Sequence, residues 1–187
     1  MQTDVKYHIS EARISDEQQV IKAAQKDIRF FEELYNSYYE DIFRFIKQRM
    51  DDKEQAFDLT QQVFLKAMLN IKDYTFKGVP FVSWLYRIAY NETISFFRKE
   101  TKHRTINIDD SGAKDISTEI ETPEFIEDEK LSNALHALND DELTMIEMRF
   151  FEKRAFKEIA DILNITENSA KLKTYRILDK IKKVLTR

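Results

Sequence analysis

Arg87, Asn91, Ser95 and Arg98 stand four, four and three residues apart in the run Phe81-Val-Ser-Trp-Leu-Tyr-Arg-Ile-Ala-Tyr-Asn-Glu-Thr-Ile-Ser-Phe-Phe-Arg-Lys99. Read at helical period they share one face, while Leu85, Tyr86, Ala89, Tyr90, Thr93, Phe96 and Phe97 take the other. Two guanidinium groups, an amide and a hydroxyl in one stripe are groups that clamp phosphates and read base edges. An ordinary amphipathic surface helix carries the same pattern, and on this helix alone that plainer reading is the favoured one; the other stretches of the chain overturn it.

A second stretch bears on the choice. Phe156–Leu163 has the pattern of a short helix, and Asn164-Ile165-Thr166 is a tight break in which Asn suits a left-handed turn. Thr166 is placed to cap a helix from Glu167 to about Leu185. On that helix Ala170, Thr174, Ile177, Ile181 and Val184 lie on one side. Asn168, Lys171, Leu172 and Tyr175 lie opposite, with Arg176 at the edge. This is the spacing of a helix-turn-helix, whose second helix enters a major groove. A plain helical hairpin with a solvated lysine face is the other reading of the same residues. Lys180, Lys182, Lys183 and Arg187 make this end basic.

Composition excludes most other chemistry. The 187 residues hold only 2 Gly and 2 Pro, too few for the turns of an all-β fold or a phosphate-cradling glycine loop, so the chain reads as all-α. Hydrophobic residues at 42% suffice for real cores, and a net charge of −4 argues against simple electrostatic coating of DNA. Cysteine is absent, which excludes disulfides, thiolate metal sites and cysteine nucleophiles. His8, His103 and His136 fall in no metal-ligand spacing, so neither metal nor cofactor is expected. Glu158 and Asp161 are one turn apart, but such charges ordinarily solvate a helix face, and no catalytic residue is assigned. The start, Met-Gln-Thr-Asp-Val-Lys, has no apolar signal core, and no apolar run is long enough to span a bilayer. A cytoplasmic protein without membrane insertion is expected.

The elements that must position these residues follow from caps and breaks. Ser15-Asp-Glu-Gln18 reads as a capping box opening a helix. Asp27 is placed to cap the next, which carries Phe30, Phe31, Leu34, Tyr35, Tyr38, Ile42, Phe43 and Ile46 at core spacing. Asp51-Asp52 opens a third helix running to about Tyr74, and Gly78 and Pro80 break the pattern before a helix from Phe81 to about Glu100. Trp84 falls near the polar side of its start, where the period does not decide its packing. The acidic stretch around Ile106–Glu121 has no sustained period and reads as a linker. Thr122-Pro123 reads as a helix start, and Asn139-Asp-Asp-Glu142 as a capping box opening a helix to about Phe151. The layout is an N-terminal helical domain over 1–100, an acidic flexible linker over 101–122 and a C-terminal helix-turn-helix domain over 123–187.

Together these blocks resemble the extracytoplasmic-function class of bacterial sigma factors, over about Ile28 to Leu185. Asp58-Leu-Thr-Gln-Gln-Val-Phe64 with Lys66-Ala67 is similar to the family's D-L-T-Q-E-V-F core-binding helix. Phe81–Lys99 is similar to its F-x-x-W-L-Y-R-I-A-x-N promoter-melting helix, and Ile159–Arg176 to its terminal helix-turn-helix. The resemblance implies that Asp58, Gln61, Gln62 and Leu65 bind the clamp helices of core RNA polymerase. It implies that Arg87, Asn91, Ser95, Arg98 and Lys99 meet the −10 promoter element, and that the loop from Phe76 to Val82, with Lys77, receives a flipped base. Asn168, Lys171, Leu172, Tyr175 and Arg176 would read the −35 element. The linker would thread the polymerase channel, and an anti-sigma factor is an implied partner. The chain departs from the family at Gln62, where Glu is common, at Ala155, where Ser or Thr caps the helix, and at Leu172, where a small polar residue is common. A helix-turn-helix regulator acting without polymerase is the alternative. It has no need of the polar stripe Asp58, Gln62 and Lys66 beside a second DNA-facing helix. A helical adaptor with no DNA function is disfavoured by the basic, capped terminal helix.

Overall fold

Asp27, Asp52, Asn139 and Thr166 each sit in extended backbone with a side-chain oxygen accepting from the first turn of the helix that follows. These caps punctuate a computed structural model that describes residues 11–107 and 129–186, in which every regular element described is helical. In order they are α1 (Glu11–Lys26), a 3-10 turn (Ile28–Phe30), α2 (Phe31–Lys47), α3 (Lys53–Asn70), a 3-10 turn (Ile71–Asp73) and α4 (Phe81–Asn107). Then come α5 (Glu129–His136), α6 (Asp140–Ile146), a π turn (Glu147–Phe151), α7 (Phe156–Leu163) and α8 (Glu167–Leu185).

Four boundaries differ from the sequence expectation. Ser15 opens nothing, because α1 is already running at Glu11. The third helix stops at Asn70 and tightens into the 3-10 turn before Tyr74. Helix α4 runs past Glu100 to Asn107, so the first seven residues of the expected 101–122 linker are helical; that stretch contains no Gly or Pro to stop it. The helix opened by Asn139 widens into a π turn after Ile146, burying Met148 and leaving Phe150 and Phe151 exposed. The Thr122-Pro123 helix start and the rest of the linker lie outside the described residues.

The N-terminal core forms where α2, α3 and α4 pack together, burying Ile42, Phe45, Ile46, Val63, Phe64, Ala67, Leu85 and Ala89. Rings of Tyr35, Tyr39 and Phe64 cluster at its edge with centroids 4.8–6.1 Å apart. Two aromatics expected inside are exposed. Phe30 belongs to the 3-10 turn rather than to the helical stripe, and Phe97 lies beyond Thr93, the last buried side chain described on α4. In the C-terminal half, Ile159, Ala160 and Ile162 of α7 are buried with Ala170, Thr174 and Ile177 of α8. Asn164 makes the turn between them in the left-handed conformation, φ 53° and ψ 46°. Ala155 takes the N-cap position of α7 with no side-chain bond, as its departure from the family led one to expect.

The two halves are in contact, chiefly α4 on α7. Arg154, only 1% exposed, lays its guanidinium over the Tyr86 ring of α4 at 4.0 Å and pairs with Glu152 and Glu158. Arg49, just beyond α2, donates to the Glu147 carboxylate at 2.7 Å, to Thr144 Oγ1 at 3.3 Å and to the Phe45 carbonyl at 2.7 Å. Burial lowers the pKa of Arg49, and the Glu147 carboxylate works against that. The Tyr90 hydroxyl donates to Asp141 at 2.7 Å. Burial, and then that bond, hold the phenol well above its ordinary pKa.

Candidate nucleic-acid interface

Helix α3 has an inner and an outer side. Ala56, Leu59, Thr60, Val63, Phe64 and Ala67 face the core. Asp58, Gln62 and Leu65 are exposed, at steps of four and three. Of the four residues singled out on this helix, Gln61 stands apart. It is half-buried, and its amide donates to the Tyr35 hydroxyl at 3.2 Å. Sequence reasoning missed Leu69, which continues the same stripe at 69% exposed, and Phe57 beside it. Their signal was the period itself: an apolar residue recurring on the polar side of an amphipathic helix. Lys66 is committed elsewhere, bonded at 2.6 Å to Glu92 of α4, so α3 and α4 are tied at the surface.

Between α3, the loop at 74–80 and α4 lies a cavity of about 520 Å³ lined by Lys66, Tyr74, Lys77, Trp84, Arg87 and Asn91 among others. Trp84 packs against Tyr74 and Phe81, with centroids 5.0 and 5.4 Å away, which places it beside the stem of the loop. Gly78 makes the bend of that loop at φ +71°, a conformation that suits glycine. Phe76 and Lys77 are exposed at its tip. Arg87 and Asn91 both open onto the cavity. Arg98 instead lines a separate groove with Tyr90, Ile94 and Phe97, while Ser95 is half-buried and Lys99 exposed. Of the stripe read as one face, Arg87 and Asn91 therefore open onto one concavity and Arg98 onto another.

Asp161 of α7 closes one wall of the cavity. Its Oδ1 is 3.2 Å from Arg87 and 3.5 Å from Lys77, and its side chain is 13% exposed. The expectation that Glu158 and Asp161 merely solvate a face is thus corrected. Both point to cations, Glu158 to Arg154 and Asp161 to two groups from the other half of the chain. The negative charges of Glu17 and Asp161 add to burial in raising the pKa of Tyr74.

On α8, Asn168, Leu172, Tyr175 and Arg176 are exposed together, Leu172 at 58% and Tyr175 at 60%. Lys171 joins them while bonded at 2.8 Å to Glu167, one turn back. The opposite side is buried at Ala170, Thr174 and Ile177, as the spacing requires. Lys180 is not a free cation: it binds Glu142 of the Asn139 capping box at 2.7 Å. Among the described residues no group of three His, Asp or Glu side chains is placed to hold a metal, and no helix is long and apolar enough to cross a membrane.

Comparison with known proteins covers both halves. Residues 34–103 match the family model of Sigma-70 region 2, and residues 134–183 that of Sigma-70 region 4. The ECF RNA polymerase sigma factor SigM of Bacillus subtilis (strain 168) is 28% identical over 158 residues, which is 83% of this chain and 95% of SigM. The RNA polymerase sigma factor SigV of the same strain is 30% identical over 149 residues, 79% of this chain and 86% of SigV. The fold is shared with the sigma factor RpoE solved in complex with the anti-sigma factor NepR from Bartonella quintana. There the TM-score is 0.59 at 18% identity, covering 83% of this chain and 96% of that one. CnrH, solved in complex with the cytosolic domain of CnrY, gives a TM-score of 0.60 at 16% identity, with 91% and 97% covered. With regions 2 and 4 in order along its length, and a relative at 30% identity over most of both chains, the protein belongs to the ECF family of RNA polymerase sigma factors.

Proposed function

We propose that the chain joins core RNA polymerase through the exposed stripe of α3, opens the −10 element with α4 and the 74–80 loop, and reads the −35 element with the outer face of α8. It performs no chemistry of its own and works in the cytoplasm, where the polymerase supplies catalysis. In this reading Asp58, Gln62 and Leu65 are the polymerase contacts, with Leu69 extending them and Gln61 bracing the helix from behind. Arg87, Asn91 and Lys77 clamp the melting strand, and the cavity they line accepts an unstacked base. Arg98 and Lys99 hold backbone further along. Asn168, Lys171, Leu172, Tyr175 and Arg176 face the major groove.

The observation that carries this reading is the coexistence of two DNA-suited faces, on α4 and α8, with a third exposed stripe on α3 that neither needs. A regulator acting without polymerase leaves that third face unexplained. An anti-sigma factor, the kind of partner bound in the solved structure of RpoE, is proposed as the restraining partner. Arg87 and Lys77 are engaged by Asp161, so −10 engagement requires those ion pairs to be exchanged for phosphates. Transcription by core polymerase on genomic fragments, with and without the full chain, tests the function. New start sites that depend on the chain are expected, and an unchanged transcript set overturns it.

A further inference from the structure

Helix α1 lies outside the matched region 2 segment. Two of its polar side chains reach inward to the backbone at the two ends of the 74–80 loop. The Gln25 amide donates to the carbonyls of Ile71, at 3.0 Å, and Tyr74, at 2.9 Å, where the chain enters the loop. The Glu17 carboxylate accepts from the Phe81 N–H at 3.1 Å, where the chain leaves it to begin α4. Both partners of Gln25 are acceptors, so its NH2 group must be the end that faces them. Glu17 is 9% exposed, and its second oxygen accepts from the Tyr38 hydroxyl. The two side chains are eight residues apart, about 12 Å along one face of α1, with Ile21 buried between them.

We propose that Glu17 and Gln25 are positioning residues for −10 recognition, setting the width of the loop that holds the unstacked base. The inference rests on the reading of that loop and of Arg87 and Asn91 given above. The loop stem is closed by rings, Tyr74 edge-on to Phe81 at 5.1 Å. Rings set contact but not register. The hydrogen bonds from α1 fix register, because each clasps a specific backbone group. A carboxylate at the first N–H of α4 also satisfies a donor that the helix leaves free and matches the positive end of its dipole. Loss of either clasp frees one end of the loop while α2, α3 and α4 keep their own packing.

The test is transcription of a promoter library randomised across the −10 and −35 elements, using holoenzyme reconstituted from core RNA polymerase and the full chain. Glu17→Ala and Gln25→Ala are expected to flatten base preference at the unstacked position about tenfold, the scale of one lost base contact. The −35 preference is expected to stay as in wild type, and Glu17→Gln, which still accepts from Phe81, to restore the −10 preference. A partly folded preparation lowers transcript yield evenly and leaves base preference intact, so misfolding does not imitate the effect. Wild-type −10 preference in both alanine variants overturns the proposal. Arg87→Ala and Asn91→Ala run beside them: if these shift the −10 preference and the α1 variants do not, only the clasp fails. If all four are silent, the −10 reading itself fails and the clasp with it.

Discussion

Asn91 projects from the exposed side of α4 while Ala89 and Thr93, two residues to either side, are buried. Its amide therefore contributes to what α4 meets rather than to what α4 packs on. Asn91→Ala is expected to reduce promoter opening about tenfold or more while changing stability by less than about 0.5 kcal/mol. Permanganate reactivity of −10 thymines and a thermal melt separate the two. A large loss of melting temperature with normal opening would make Asn91 structural. On α8, Arg176 and Leu172 are expected to act in different ways. Arg176→Ala removes a group able to bond a guanine bidentately and should relax one or two −35 positions by about 1–3 kcal/mol. Leu172→Ser should lower only a preference for thymine, whose methyl group is the apolar feature of the groove. Base selection on randomised −35 elements reads both, and preferences identical to wild type in both variants would remove α8 as the reading surface.

Elements, rather than single residues, carry the proposed polymerase contact and the integrity of the C-terminal half. Asp58→Arg with Gln62→Ala is expected to weaken co-purification with core polymerase on the order of tenfold or more while the melt stays near wild type, since both side chains are exposed. Gln61→Ala is expected instead to disturb the Tyr35 contact and stability, a split visible when both measurements are made on the same samples. In the C-terminal half, the Lys180 ammonium and then the Asn139 N–H hold the Glu142 carboxyl below its ordinary 4.5. Because the folded value is the lower one, the stability it lends is complete above the ordinary value and is lost as pH falls from there through the depressed one. Glu142→Gln should therefore flatten the acid side of a pH–melting profile, and an unaltered profile would show that the tie between α6 and α8 has no weight.

These elements were legible to different degrees. Asp52, Asn139, Asn164 and Thr166 announced their helix ends in the sequence because capping is local: donor and acceptor lie within three residues. The outer face of α8 was legible for the same reason, since period alone says which side faces out. What covers a face is a different matter. Arg87 and Asp161 are 74 residues apart, and nothing in the period of either helix says that one meets the other. The half-buried place of Gln61, the exposure of Phe97 and the tie of Lys180 to Glu142 were illegible for this reason, each being set by a neighbour from another element or by the point where the core ends.

At the scale of the whole molecule, the contact between halves is polar where the proposed −10 face is concerned. Asp161 is shared by Arg87 and Lys77, while Arg49 and Tyr90 reach Glu147 and Asp141. Asp161→Asn removes the shared charge and is expected to raise the affinity of the free chain for a short non-specific duplex several-fold, with a steeper salt dependence as Arg87 and Lys77 become available to phosphates. A fluorescence titration at two salt concentrations measures this, and equal slopes for variant and wild type would mean that Asp161 guards nothing.

Asp161 also bears on how such a factor moves through a cell full of DNA. A carboxylate held on the same chain competes for the two cations at an effective concentration on the order of millimolar, whatever the bulk conditions. Stray duplex must outbid it at every encounter, and most of the genome offers only backbone with which to do so. The chain's overall charge of −4 adds to that reluctance. A factor guarded in this way is expected to spend little of its time trapped on the wrong sequence and to stay free to exchange among polymerases, with the proposed contact stripe of α3 exposed.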